Sequence, residues 1–537
     1  MLEIPWEYLF ALVPGLILFI YGIQHFSEEM LRIAGKKFRK ILERLTSNRV
    51  SGALLGAGFT GVVQSSNATT VIVVGLVNAG ILTFAQSLGV IIGANVGTTL
   101  TAQLIAFKLT AFAPVLILLG FLLSLIGNKY SFLGKPIFYF GLVFFSLNLL
   151  SLAIEPLKDD PGVVGVFAEF DNLFVIIAIG IIMTVMFQSS SMVTGIVILL
   201  VDSGLIGIEQ GVFAIMGANI GTTLTPLMIS MGMDVFARRA ATAHFLFNLG
   251  GVLIFLPFIT PFVGLVSDIG GAPANIMANA HLIFNVVTAL IFLVMLDPFK
   301  GLVKRLVPGE EEQILFKTEH LGDELPEDSS GAIAVVELEM RNLLSVTRRI
   351  FDEALSVANR RADGHYGKVM KLEALNDYLD EHISKAMIDL SKRELTKAQA
   401  KKALLLTRIS NSIEILGDLG KGMGMTSKRM ADSGIRPSAE AMEVLNSSYY
   451  ILLSNLEIIE NAFPNLSKED EDRMRENDGR LRELINKGYA QNLELLATPD
   501  DVSGSILIDM LSGIESSGAK IRESRKLLEL YSREQDN

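Results

Sequence analysis

Two short clusters carry most of the polar chemistry in the apolar half of this chain. The first is Gln64, Ser65, Ser66 and Asn67, and the second is Gln188, Ser189, Ser190 and Ser191. Amide and hydroxyl side chains supply neutral oxygen ligands together with N–H and O–H donors. Each cluster sits at the middle of a stretch, about 51–80 and 174–203, that is otherwise apolar enough to enter a bilayer. Polar groups at that depth are costly unless they bind something. A second polar phrase follows each cluster: Gly93-Ala94-Asn95-Val96-Gly97-Thr98-Thr99, then Gly217-Ala218-Asn219-Ile220-Gly221-Thr222-Thr223. Residues 60–101 align on 184–225 at a constant offset of 124, with 20 identities in 42 positions and no gap. The apolar half contains a duplication.

A straight span through a Gln-Ser-Ser middle would strand its polar groups. Each stretch is therefore expected to be a helix–break–helix hairpin that enters and leaves on one side. A broken helix presents free N–H groups and the positive end of a dipole, which suits an oxyanion. The Gly-flanked oxygens of Asn95, Thr98, Thr99, Asn219, Thr222 and Thr223 suit a hard cation. No Lys or Arg lies in these segments, so a multivalent anion there needs a co-bound cation for compensation. Asp202 and Glu209 sit near a hairpin end and not at its break, which favours sodium over proton coupling. The competing reading is that Ser, Thr and Gly merely let helices pack closely; packing gives no reason for Gln at a break. Two further phrases match each other, Ala243-His244-Phe245-Leu246-Phe247-Asn248 and Ala280-His281-Leu282-Ile283-Phe284-Asn285. Their His and Asn share one helix face, either lining a pathway or bracing packed helices.

The elements that must hold these residues are read from composition and charge. Of 537 residues, 50% are hydrophobic and mean hydropathy is +0.45. Residues 1–310 hold 16 Lys+Arg and 16 Asp+Glu, leaving 30 and 41 for residues 311–537. The whole net charge of −11 belongs to the second part, so a membrane domain precedes an acidic soluble one. No basic patch points to nucleic acid. The absence of cysteine excludes disulfides and thiolate metal sites. The first residues lack the basic region of a signal peptide, so Tyr8–Tyr21 reads as a retained first span.

Spanning helices are expected at about 8–25, 82–107, 111–127, 136–153, 205–230, 240–258 and 275–296. With the N-terminus outside and both hairpins re-entrant, the inner segments hold Arg32, Lys36, Lys37, Arg39, Lys40, Arg44, Arg49, Lys129, Lys135, Arg238, Arg239, Lys300, Lys304 and Arg305. Only Lys108 and Lys158 fall outside, a strong positive-inside bias. The two copies, about 8–127 and 133–258, then come out inverted, which is a transporter architecture.

Gln64-Ser65-Ser66 and Gln188-Ser189-Ser190-Ser191, each followed by Gly-Ala-Asn-x-Gly-Thr-Thr, resemble the signature of the type II sodium-dependent phosphate cotransporters. The resemblance covers about residues 8–300 and departs at Asn67, where the family pattern has a third Ser. It implies inorganic phosphate as substrate and sodium as the co-transported ion. It also implies a site formed by both hairpins and the segments adjoining them. On that reading Gln64, Ser65, Ser66, Asn67, Gln188, Ser189, Ser190 and Ser191 hold phosphate.

Residues 307–330 are polar with prolines and read as a linker after the membrane domain, 1–306. Amphipathic helices follow at roughly 332–363, 366–393, 396–430, 437–463, 470–498 and 501–532, broken at Asp363-Gly364, Pro437, Pro464 and Pro499. Six helices fit two three-helix bundles over 331–537. Glu373/Asp377 and Glu414/Asp418 are each spaced to share a helix face. The run Arg408–Asp418 resembles the acidic motif of PhoU-like phosphate-regulatory domains. That resemblance implies a divalent metal held by Glu373, Asp377, Glu414 and Asp418; a solvated acidic face is the alternative. Glu515-Ser516-Ser517-Gly518-Ala519 in the second bundle lacks the aspartate.

The expected protein is thus all-α: a polytopic membrane domain of two inverted repeats, each with a re-entrant helical hairpin, plus a six-helix PhoU-like domain. Its expected function is sodium:phosphate symport across the cell membrane, with the C-terminal domain cytoplasmic and regulatory. The alternatives are a symporter of another anion, such as sulfate or a carboxylate, and a phosphate sensor that does not translocate. No nucleophile–base pair in the membrane part suggests an enzyme.

Overall fold

The computed structural model describes every residue except 1–5, 46–47, 108, 127–130, 161–162, 166–171, 310–312, 323, 361–362, 435–436, 496–501 and 535–537. Lys108, Lys129 and Pro499 lie outside the described residues. The chain divides into two compact units, Met1–Gln313 and Ile314–Asn537.

The first unit is helical throughout its ordered elements. These are α1 (Trp6–Leu45), α2 (Arg49–Val63), α3 (Ser66–Asn78), α4 (Phe84–Ala106), α5 (Ala113–Leu125), α6 (Ser131–Ile154) and α7 (Leu173–Phe187). They continue with α8 (Ser190–Asp202), α9 (Ile208–Thr222), α10 (Leu224–Ser230), α11 (Val235–Phe255), α12 (Ile259–Ile269), α13 (Pro273–Val294) and α14 (Leu296–Leu306). Five helical stretches, Phe84–Ala106, Ser131–Asp159, Ile208–Ser230, Val235–Ile269 and Pro273–Val294, are long and apolar enough to cross a membrane. The expected first span and the basic stretch after it form one continuous helix, α1, of 40 residues.

Both hairpin stretches are broken. Thr60 Oγ1 donates to Thr69 Oγ1 at 2.9 Å across nine residues. In an unbroken helix nine residues would separate them by about 13.5 Å along the axis, so the chain turns back between α2 and α3. The expected span 205–230 is also interrupted, at Thr223. Pro226 explains this: it has no N–H to return to the Thr222 carbonyl.

Glycines set the spacing between helices in both copies. A Cβ on Gly93 would meet the Ala53 carbonyl oxygen at 1.9 Å, and one on Gly217 the Ile177 carbonyl oxygen at 2.2 Å. The offset between these two contacts is again 124. Hence α2 lies backbone to backbone on α4, and α7 on α9. To this extent the Gly-Ala-Asn-x-Gly phrase is a packing face.

The last residues of the first unit are tied to it. Arg239 Nε donates to the Val307 carbonyl at 3.0 Å, and its Nη2 to the Gly309 carbonyl at 2.7 Å. Gln313 Nε2 donates to the Leu82 carbonyl at 2.8 Å, while Phe84 N donates to Gln313 Oε1 at 3.2 Å. In the second unit Ile314 is buried in the helical core, with Phe316, Leu321 and Leu325 packed on it.

The second unit holds α15 (Ser329–Arg360), α16 (Asp363–Ser391), α17 (Lys397–Asp432), α18 (Ala439–Ala462), α19 (Lys468–Leu495) and α20 (Val502–Arg533). Caps define their starts: Thr396 and Gln399 form a reciprocal capping box, and Ser438 Oγ accepts from Ala441 N at 3.1 Å.

Candidate functional site

Each hairpin breaks in the same way. Gln64 has φ 59°, ψ 27° and Gln188 φ 54°, ψ 25°. Among the described residues these are the only non-glycine residues with positive φ. A left-handed conformation at a non-glycine residue costs about 1–3 kcal/mol and is kept where the fold imposes it. The next residue caps the second helix. Ser65 Oγ accepts from Ala68 N at 3.2 Å and Ser189 Oγ from Met192 N at 3.3 Å. Behind these caps the first N–H groups of α3 and α8, at Ser66, Asn67, Ser190 and Ser191, precede any intrahelical acceptor.

The two breaks meet through a residue the sequence reading did not select. Thr101 donates to Gln64 Oε1, and its Oγ1 lies 3.3 Å from Ser191 Oγ. A cavity of about 20 Å³ lies beside Gln64, Thr101 and Ser191 and is lined also by Ile23, Phe140 and Phe144. That is room for roughly one water. Thr101 is one of the identities shared by the two copies, matching Thr225; that identity was the available signal.

The hairpins also differ. Gln64 is buried, whereas Gln188 is exposed. Val193 stands where the first copy has Thr69, and Thr184 Oγ1, the counterpart of Thr60, is buried without a partner. Asn67 carries a buried Oδ1 with no partner, an acceptor where the family pattern has a hydroxyl. Thr70 and Thr194, one turn beyond Ser66 and Ser190, likewise bury unpartnered hydroxyls. They too are identical in both copies and were missed.

The second polar phrases are buried in matching geometry. Thr98 and Thr222 donate to the carbonyls of Ala94 and Ala218, each at 3.0 Å. Thr99 and Thr223 donate to those of Val96 and Ile220, each at 2.7 Å. Each hydroxyl spends its proton on its own helix and keeps oxygen lone pairs available to a cation. In the second copy the Thr222 carbonyl, freed by Pro226, adds another oxygen. Asn219 Nδ2 donates to Asn285 Oδ1 at 3.1 Å, whereas Asn95 Nδ2 donates to the Ile91 carbonyl at 3.3 Å.

The expected metal set in the second unit is not supported. Lys421 Nζ donates to the buried Glu373 at 2.5 Å, which neutralises one of the four carboxylates. Burial, then the carboxylates of Glu373 and Asp418, hold Asp377 above its usual range. Burial, then Asp418 and Asp380, do the same for Glu414. Among the described residues no three His, Asp or Glu side chains converge as a metal ion requires. Glu373, Asp377, Glu414 and Asp418 form a crowded acidic face with Lys421 as counter-ion.

An all-helical unit with membrane-length helices and two polar helix breaks defines a multi-pass membrane protein with a buried polar site. The model of the family described as Na+/Pi-cotransporter matches residues 18–152 and 167–259. A Bacillus subtilis protein called "Uncharacterized protein YqeW" is 34% identical over 265 residues, 49% of this chain and 86% of the relative. The Escherichia coli "Putative inorganic phosphate export protein YjbB" is 26% identical over 90% of this chain and 89% of its own length. The human "Sodium-dependent phosphate transport protein 2B" is 35% identical over 23% of this chain and 20% of its own length. No solved structure matches the chain. The chain belongs to the Na+/Pi-cotransporter family.

Proposed function

We propose that the protein is a secondary-active transporter that couples sodium movement to movement of inorganic phosphate. The observation that carries this is the pair of identically broken hairpins joined through Thr101. The joint brings the first turn of α8 to the break between α2 and α3, and neither hairpin stretch, 51–80 or 174–203, contains a lysine or arginine. Phosphate binds at Gln64, Ser65, Ser66 and Asn67 of one hairpin and Gln188, Ser189, Ser190 and Ser191 of the other, held by hydroxyls, amides and free N–H groups. Sodium binds at Asn95, Thr98, Thr99, Asn219, Thr222 and Thr223 and offsets the anion's charge. The two copies are inverted repeats whose exchange of conformations gives alternating access. The N-terminus lies outside and the second unit lies in the cytoplasm, as a PhoU-like regulatory domain.

The experiment is phosphate flux in proteoliposomes with sodium gradients imposed in either direction. Uptake driven by inward sodium supports symport, and flux indifferent to sodium overturns the reading. A second reading, net export, is favoured by the relatives named for phosphate export, which match 90% of this chain. Phosphate leaving preloaded vesicles against its own gradient distinguishes it.

A further inference from the structure

The two His–Asn pairs are built alike but engaged differently. Asn248 Nδ2 donates to the His244 carbonyl at 3.0 Å, and Asn285 Nδ2 to the His281 carbonyl at 2.9 Å. Each asparagine is folded back on its own helix in the same manner. At the second pair the network continues. His281 Nε2 donates to Asn219 Oδ1 at 3.4 Å, and Asn219 Nδ2 donates to Asn285 Oδ1 at 3.1 Å. At the first pair it stops. His244 is fully buried with neither ring nitrogen partnered. Asn95, the counterpart of Asn219, turns its amide to the Ile91 carbonyl of its own helix.

The helices needed to complete the first network are already neighbours. Ala243 and Phe247 of α11 share an apolar core with Ile91 and Ile92 of α4. In the same way Ala280 and Phe284 of α13 share one with Ile215 and Met216 of α9. A buried imidazole with both nitrogens unused is costly unless another state of the protein satisfies it. We propose that the molecule carries two alternative latches, Asn219–His281–Asn285 and Asn95–His244–Asn248, of which one is closed at a time. His281 positions Asn219 in the state described, and His244 positions Asn95 in the opposite state of the cycle. This rests on the reading of Asn95 and Asn219 as sodium ligands.

The test is sodium-dependent phosphate flux in right-side-out and in inside-out vesicles. His281→Leu raises the half-saturating sodium concentration about tenfold at one face, and His244→Leu does so at the opposite face. His281→Gln and His244→Gln, which keep a donor and an acceptor, restore the wild-type curves. Should a leucine variant fail to accumulate, Asn285→Leu and Asn248→Leu remove the other arm of each latch and read out the same opposition. A purely structural histidine would change maximal rate and leave the sodium curves in place. That result, or shifts at the same face for both residues, overturns the latches. If wild-type flux ignores sodium, the transport reading itself fails. If wild-type flux follows sodium and both variants keep its curves, only the latches fail.

Discussion

Thr101 and Ser191 approach to 3.3 Å, oxygen to oxygen, across ninety residues of chain. Because Thr101 also donates to Gln64, one hydroxyl links the break of one hairpin to the first turn of the other. Removing it uncouples the two. Thr101→Val keeps the shape and leaves the buried Gln64 Oε1 without its donor and Ser191 Oγ without its neighbour, a loss of about 1–3 kcal/mol. Phosphate flux should fall at least tenfold at unchanged expression, and Thr101→Ser should restore most of it. Equal flux in wild type and Thr101→Val would remove Thr101 from the site.

The cross-break bond in the first hairpin and its absence in the second give opposite stability changes. Thr69→Val strands the buried Thr60 hydroxyl and should cost about 1–3 kcal/mol. Val193→Thr gives Thr184 its missing partner and should raise the melting temperature or leave it unchanged. Thermal unfolding of purified protein in one detergent measures both. A lower melting temperature for Val193→Thr would show that the second break is too wide to carry that bond.

Thr98→Val and Thr222→Val delete an oxygen without changing volume, and each lost helix-carbonyl bond should cost only about 1 kcal/mol of stability. Their expected effect is on sodium. The half-saturating sodium concentration rises several-fold while the folded fraction, followed by gel filtration, is kept. Sodium curves superimposable on wild type in both variants would reassign the cation to other oxygens.

The acidic face of the second unit makes stability depend on pH. Asp377 and Glu414 are held above their ordinary values of 3.8 and 4.5 by burial and by neighbouring carboxylates. A raised folded value means the native state binds protons more tightly than the unfolded chain. That contribution is complete below the ordinary values and is lost as pH rises through the raised ones. Asp377→Asn should therefore stabilise the protein at neutral pH and flatten the dependence between about pH 4 and neutrality. Unfolding followed across that range checks it; an unchanged slope would place the crowding elsewhere. Lys421→Met should act in the opposite direction, since it leaves Glu373 buried without its counter-ion.

Much of the helical layout was legible because local chemistry wrote it twice or punctuated it. The Gln-Ser-Ser breaks recur at one offset, and a polar run inside an apolar stretch has few ways to be satisfied. In the second unit the prolines and caps mark helix ends to within a few residues. What stayed hidden depends on partners distant in sequence. Thr101 reads as one more threonine until α4 is laid against α8. Lys421 gives no sign that it neutralises Glu373 on another helix, a pairing that lends the metal expectation no support. The interruption at Thr223 was readable from Pro226, but the hydropathy of 205–230 masked it. Gln64 and Gln188 each precede a Ser-Ser pair, and only the packed structure buries one and exposes the other.

The start of the stretch expected to be a linker belongs to the first unit. Arg239 clamps Val307 and Gly309, and Gln313 plugs the start of α4. The very next residue, Ile314, is already embedded in the second unit's core. A truncation meant to remove only the second unit must therefore keep the chain through Gln313, or it takes away the carbonyls that Arg239 holds and the amide that Leu82 and Phe84 hold at the head of α4.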